Sequence, residues 1–236
     1  MFVPGPYRQP AGGWTAELVR GNPLALLATN GPADAGPYAT HVPVIPDPAG
    51  PEPWAADLSG AVLLGHMNRA NPHWKALEPG GPALVTFTGP HAYVSPAVYR
   101  VSPAAPTWNF TSVHVHGTLS PIRGEAETLE VVCATVRAFE AAFGTGWDMT
   151  DSLGYFRRIL PGVGAFRIAV TRAEGMFKLS QEQRPEIRER VRASFAARPS
   201  CGARQVAELM GRLAGEPVPP PRDPATVQEG PGRRAS

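Results

Sequence analysis

The chain has 236 residues, of which 43% are hydrophobic and 18% charged, and its formal net charge is +2. This apolar content is sufficient for a packed core and excludes a globally disordered chain. A net charge so close to zero argues against a nucleic-acid-binding surface. No run is long and apolar enough for a transmembrane helix, and the first residues do not resemble a signal peptide, so we expect a cytoplasmic protein.

Short apolar runs bounded by glycine and proline predict six β-strands. These runs are LALLAT (24–29), ATHVPVI (39–45), AVLLGHM (61–67), ALVTFTG (83–89), VHVHGTLS (113–120) and GVGAFRIAV (162–170). Several runs follow one another too closely for long crossover helices, which favours antiparallel pairing and a barrel over a parallel sheet. The predicted fold class is therefore mainly β with added helices, an α+β protein.

Helices are predicted between and after the strands. Asn71 can cap a short helix that has Pro72 at its first position. The pattern of 124–143 is that of a longer amphipathic helix, with Cys133 on its core side. Further helices are predicted over 151–159, 184–197 and 203–213. Residues 215–236 are rich in proline and have little to bury, so we expect a single domain over 1–214 and a disordered tail.

The segment GHMNRANPHWK (65–75) has the clearest local signal for a binding site. A strand ends at His66, the chain turns, and a helix begins after Asn71. Free backbone N–H groups at such a turn, together with Arg69 and Lys75, can hold an anion. The alternative is an ordinary strand–turn–helix connection with solvated cations.

Five of the six histidines lie between His66 and His116, in a block that also contains Tyr93 and Trp108. Aromatic rings, imidazoles and cations in one region suit a planar, anionic cofactor. His114 and His116 share one strand face and could bind a metal, but no third ligand has suggestive spacing, so the polar face of a half-buried strand is the simpler interpretation. Any of these imidazoles could also be an axial ligand of haem.

Several other function classes lack their sequence signatures. The chain has no G-x-S-x-G nucleophile elbow, no G-x-G-x-x-G and no phosphate-binding loop. Arginines are frequent over 184–213, as they would be in a regulator that binds DNA, but glutamates are interspersed with them and no helix-turn-helix is recognisable. A solvated helix face is the simpler interpretation.

Five ordered blocks carry a resemblance to a known family. They are ATHVP (39–43), LLGHMNRANPHW (63–74), GPHAYVSPAVY (89–99), PTWNFTSVHVHG (106–117) and KLSQ (178–181). With the initial MFVP, they resemble the PaiB-type family of FMN-binding negative transcriptional regulators. The resemblance implies an FMN-binding split β-barrel, as a homodimer with its cofactor at the subunit interface.

The amino-acid sequences of three blocks resemble those of one branch of that family, the haem-dependent L-piperazate synthases. The chain reads HMNRANPHW, VSPAVY and PAAPTWNF, where PaiB-type proteins more often read HMARANPQW, VSPSWY and VVPTWNY. The branch implies haem b as cofactor and L-N5-hydroxyornithine as substrate. Its members form the N–N bond of L-piperazate with loss of water, in the biosynthesis of nonribosomal-peptide antibiotics.

The resemblance suggests a role for each candidate residue. His66 is expected to ligate iron, with His91 and His114 as rivals, and Arg69, Asn71, Lys75 and Trp108 are expected to bind the cofactor. A base must keep the substrate α-amine neutral, and Lys75, His91 and Tyr93 are its candidates. In the FMN alternative, Arg69, Lys75 and the helix start at Asn71 would hold the phosphate of a regulator or flavin oxidoreductase.

Overall fold

The computed structural model describes residues 1–10, 12–32, 36–50, 54–55 and 57–215. Six antiparallel strands close into a barrel in the order β1-β2-β3-β6-β5-β4. They are β1 (Leu24–Thr29), β2 (Tyr38–Pro46), β3 (Val62–Asn68), β4 (Gly81–Val94), β5 (Thr107–Ile122) and β6 (Val163–Lys178). The predicted fold class, the six strands and the antiparallel barrel are confirmed.

Successive side chains of each strand point alternately into and out of the barrel, which gives it an apolar interior and a mixed outer face. Along β3, Leu63 and Met67 belong to the main core cluster, whereas Leu64 belongs to a second cluster outside the barrel. His66 alternates with Met67 and therefore lies on the outer face. The interior is filled by branched and aromatic side chains, including Leu27, Val42, Val85, Phe87, Val113, Val115, Leu119, Phe166 and Ile168.

In the described part of the chain, six α-helices surround the barrel. They are α1 (Trp14–Gly21), α2 (Pro72–Lys75), α3 (Glu125–Phe143), α4 (Leu153–Ile159), α5 (Pro185–Ala196) and α6 (Cys201–Leu213). Helix α3 packs on the outer face of β2, β3 and β6, where Val131 joins Ile45, Leu64 and Ala165 in the second apolar cluster. Within the described ranges, the helices are all too short or too polar to span a bilayer.

Predicted and observed boundaries agree best where the apolar pattern is strongest. Strand β1 has the predicted ends, the four helices predicted after residue 120 are present within a few residues, and Cys133 is buried as expected. Strands β4, β5 and β6 are much longer than predicted, because pairing to a neighbour extends them beyond their own apolar runs. Helix α1 was not predicted. The tail predicted from residue 215 lies, apart from Gly215, outside the described residues.

Candidate functional site

The turn between β3 and α2 is held by its own asparagines. The Asn71 side chain accepts a hydrogen bond from the His73 backbone N–H at 2.9 Å, which confirms it as the cap of α2. Asn68 Oδ1 accepts from the Ala70 N–H at 2.7 Å, and the Arg69 N–H donates to the Gly162 carbonyl at 2.9 Å. Arg69 therefore has a defined backbone position between β3 and the start of β6.

His73, inside the histidine-rich block, has a structural environment. Its side chain is only 1% exposed, and each ring nitrogen lies 2.9 Å from a threonine hydroxyl, that of Thr29 or that of Thr40. The ring also stacks on Tyr38. Both of its polar atoms are satisfied by the barrel, so His73 anchors α2 to β1 and β2 rather than facing a ligand.

His66 has the opposite environment. It lines a cavity of about 420 Å³ on the outer face, between β2, β3 and the start of β6. Within the described ranges, two buried histidine nitrogens have no hydrogen-bond partner, Nδ1 of His66 and Nε2 of His116. Burial lowers the pKa of the His66 imidazole below its usual value of 6.5, so the ring is neutral at pH 7 and one of its two nitrogens carries a lone pair.

His41 and Asn71 share this cavity with His66. The β2–β3 register pairs Val44 with Gly65, which places His41 diagonally across from His66 on the same face. The cavity therefore has two imidazoles and the amides of Asn68 and Asn71 on its wall. His41 was not predicted to contribute; its only sequence signal is its place in the ATHVP block.

A second cavity, of about 490 Å³, lies on the other side of Arg69. Its walls are Arg69, Trp74, Lys75, Leu77, Pro121, Ile122 and Arg123. The Nε of Arg69 donates to the carbonyl of Val163 at 2.8 Å, and Val163 lines the His66 cavity. Arg69 thus lines the second cavity and is hydrogen-bonded to a residue of the first, and the structure brings it together with Lys75.

Three of the candidate residues lie away from both cavities. His91 and Tyr93 on β4 contact Trp108 on β5, with ring centroids 5.9 and 5.8 Å from that of the indole. Tyr93 is 43% exposed and Trp108 is 52% exposed. From Trp108 to Pro121, at the second cavity, β5 runs for about 13 residues, or about 40 Å of strand. Within one chain, Lys75 is therefore separate from the other two candidate bases.

His114 and His116 lie on the outer face of β5, as their spacing predicts. His116 Nε2 is 3.5 Å from a Glu174 carboxylate oxygen, and burial is the largest cause of a lowered pKa for His114. Among the described residues, no three His, Cys, Asp or Glu side chains are grouped to hold a metal ion. Along β6, His66 pairs with Ala165 whereas His116 pairs with Arg172 and His114 with Glu174, so both imidazoles lie further along the barrel than the His66 cavity.

Comparison with known proteins gives a family match over most of the chain. The family model described as "Putative FMN-binding domain" matches residues 1–172. Protease synthase and sporulation protein PAI 2 of Bacillus subtilis is 31% identical over 150 residues, which cover 63% of this chain and 71% of the relative. An uncharacterized protein of Emericella nidulans is 28% identical over 213 residues, covering 76% of this chain and 84% of the relative.

Among solved structures, the FAD and heme binding protein from Mycobacterium smegmatis is similar in fold. It superposes with a TM-score of 0.52 at 19% identity, over 79% of this chain and 80% of its own. The conserved hypothetical protein Rv2991 from Mycobacterium tuberculosis gives a TM-score of 0.50 at 12% identity, over 78% and 94% of the two chains. At these identities the likeness concerns the fold.

Proposed function

This chain belongs to the FMN-binding-domain family that matches it over residues 1–172, and we propose that it binds a planar, anionic cofactor at the cavity beside His66. The closed six-stranded barrel and its structural relatives confirm the split-barrel fold. Flavin and haem are the two cofactors to consider, since the family is named for FMN and the Mycobacterium smegmatis relative binds FAD and haem.

The unpartnered nitrogen of His66 is the observation that favours haem. A buried polar atom without a hydrogen bond is costly unless a ligand uses the side chain. A neutral imidazole on a cavity wall is the donor that haem iron requires. His66 fits this role, Asn71 offers an amide on the same wall, and Arg69, which is hydrogen-bonded to Val163 of that wall, is the proposed partner of a propionate.

The finer proposal is that the protein is a haem-dependent L-piperazate synthase. Haem b, when bound, supplies a Lewis acid that weakens the N–O bond of L-N5-hydroxyornithine. The α-amine nitrogen attacks the side-chain nitrogen, the N–O bond breaks, and the hydroxyl leaves as water with a proton from the amine. The protein must hold the two nitrogens within reach of each other, and this ordering contributes much of the acceleration.

The ring-closing base follows from where the candidates lie. Lys75 lines the cavity next to Arg69 and is available within the same chain. His91 and Tyr93 are far along β4, beside Trp108, and could act only if a second subunit brought them to the cavity. Lys75 lines the second cavity rather than the His66 cavity, so we propose that His91 or Tyr93 of a second subunit is the base in a homodimer.

FMN is the second candidate cofactor, favoured by the family match itself. Its phosphate would be held by Arg69 and Lys75, and its ring system would lie along the cavity wall near Asn71. The protein would then be a PaiB-type regulator or a flavin oxidoreductase, and His66 would contact the ring without ligating a metal.

An absorption spectrum of the purified protein, expressed with ample haem, separates these proposals. A Soret band identifies haem, a two-band flavin spectrum identifies FMN, and the absence of both favours a regulator without a cofactor. For haem, we expect His66→Ala to lose the bound cofactor or shift its spectrum, while the matched variant His114→Ala keeps it.

The activity is tested with L-N5-hydroxyornithine as substrate. We expect a product one water lighter, detected by mass spectrometry, from the wild type and from His114→Ala but not from His66→Ala. FMN in place of haem would return the chain to the PaiB-type interpretation. Full haem and activity in His66→Ala, with loss of both in His91→Ala or His114→Ala, would keep the function but move the ligand.

A further inference from the structure

The second cavity collects cations from three separate parts of the chain. Arg69 comes from the turn after β3, Lys75 from the end of α2, and Arg123 from the residue after β5. The strand order brings them together, because β6 lies between β3 and β5 and pairs Asn68 with Val163 and Ala165 with Ile122. Arg123 has no role in any of the sites considered above.

The positive charge of this cavity is not neutralised by the residues that the structure describes. Among the described residues, neither Arg69, Lys75 nor Arg123 forms an ion pair with a carboxylate. Glu127, a carboxylate on the adjacent first turn of α3, is engaged by Arg167 at 2.7 Å. Three cations around one cavity repel one another unless an anion enters, and their summed potential attracts that anion.

Arg69 is held in place for such a ligand. Its Nε donates to Val163, which leaves the terminal amino groups of the guanidinium free to form paired hydrogen bonds. The guanidinium also lies 5.9 Å from the Trp74 ring centroid. Trp74 packs directly over Gly164, where a Cβ would come within 2.5 Å of the indole, so the aromatic wall of the cavity is fixed by close packing against β6.

We propose that Arg123 completes, with Arg69 and Lys75, a pocket for a dianionic group, either a phosphate or a pair of carboxylates. One cation is sufficient for a monoanion, whereas three on different elements suit a group with charge on several oxygens. The inference extends the proposed function, because that group could belong to the cofactor. It could also belong to a free small molecule, since the cavity shares no wall residue with the His66 cavity.

The first test uses inorganic phosphate and malonate as probes, with sodium chloride at equal ionic strength as the reference. Binding is measured by calorimetry and by the rise in melting temperature. We expect Arg123→Ala to weaken binding of at least one probe about tenfold, as loss of one charge-assisted contact would. Arg123→Lys should restore part of it, and Arg188→Ala, which removes an arginine on α5, should bind as the wild type.

The second test measures the cofactor content of the same variants as purified. If the dianionic group belongs to the cofactor, Arg123→Ala lowers cofactor content, and phosphate competes with cofactor binding. If it belongs to a free molecule, cofactor content is unchanged and only probe binding falls. The probe measurements need no cofactor, so they remain decisive if the proposed function is wrong. The inference is overturned if Arg123→Ala matches Arg188→Ala in probe binding and in cofactor content.

Discussion

His66 and His73 are close in sequence but have opposite chemical roles in the fold. The ring of His73 lies at the barrel end with both nitrogens bonded to threonine hydroxyls. The ring of His66 lies on the outer face with a buried nitrogen that has no partner. The barrel therefore satisfies His73 with its own hydroxyl groups, whereas His66 keeps the nitrogen on which our cofactor proposal depends.

The lowered pKa of His66 predicts a stability that depends on pH. The unfolded chain binds a proton at this residue more tightly than the folded chain, so the free energy of unfolding should fall as pH decreases below about 6.5, the ordinary histidine value. We expect His66→Phe to reduce the stability difference between pH 7.5 and pH 5.5, measured by urea unfolding.

His91→Phe is the matched control for that measurement, because His91 is exposed on β4. It should leave the stability difference between the two pH values close to that of the wild type. An equal reduction in both variants would show that burial of His66 is not its source.

At the scale of elements, the packing of α2 against β6 positions both cavities. Trp74 of α2 lies over Gly164 of β6, and the next residue along α2 is Lys75. The close approach requires glycine, because a Cβ at residue 164 would overlap the indole ring at about 2.5 Å. The Trp74–Gly164 contact therefore determines where Lys75 lies and supports the guanidinium of Arg69.

We expect Gly164→Ala to displace α2 and to lose stability. Overpacking of this kind costs about 1–3 kcal/mol, which should appear as a lower melting temperature together with reduced cofactor content. Gly154→Ala is the control, since a Cβ there meets nothing within 4 Å and the residue lies inside α4. Wild-type stability and cofactor content in Gly164→Ala would contradict this account of the element packing.

At the scale of the whole molecule, one outer face of the barrel has the character of an interface. The register aligns His114, Thr86, Leu26 and His41 in a row across β5, β4, β1 and β2. Leu24, on the same face, is 69% exposed. The row ends at the His66 cavity, which His41 lines. A second copy of the chain on this face would lie beside that cavity. It could bring Tyr93 and Trp108 to the cavity, which one chain alone does not do.

We therefore predict a homodimer that uses this face. Sedimentation velocity at micromolar concentration should give a dimer, and Leu26→Glu should weaken it about tenfold or more, because a carboxylate would be buried without a partner. Phe143→Glu, at an exposed site on α3 that is 59% accessible, is the control and should remain dimeric. A wild-type monomer under these conditions would contradict the prediction.

The sequence by itself determines most of the secondary structure and the fold class. Short apolar runs bounded by glycine and proline predict six strands, and the Asn71-Pro72 pair predicts the start of α2, because these signals depend on neighbouring residues alone. It also singles out the turn that contains His66, Arg69 and Lys75. The lengths of β4, β5 and β6 cannot be predicted from the sequence, because pairing with another strand extends each of them past its own apolar run.

Only the tertiary structure decides which of these side chains work together. Arg123 joins Arg69 because β6 pairs with both β3 and β5, and no local pattern at the end of β5 indicates that neighbour. His91, Tyr93 and Trp108 belong to the same histidine-rich block of the sequence as the cavity residues. In the structure they lie together on β4 and β5, away from both cavities. Chemistry depends on distances through space, and those distances are set by strand order and register rather than by separation along the chain.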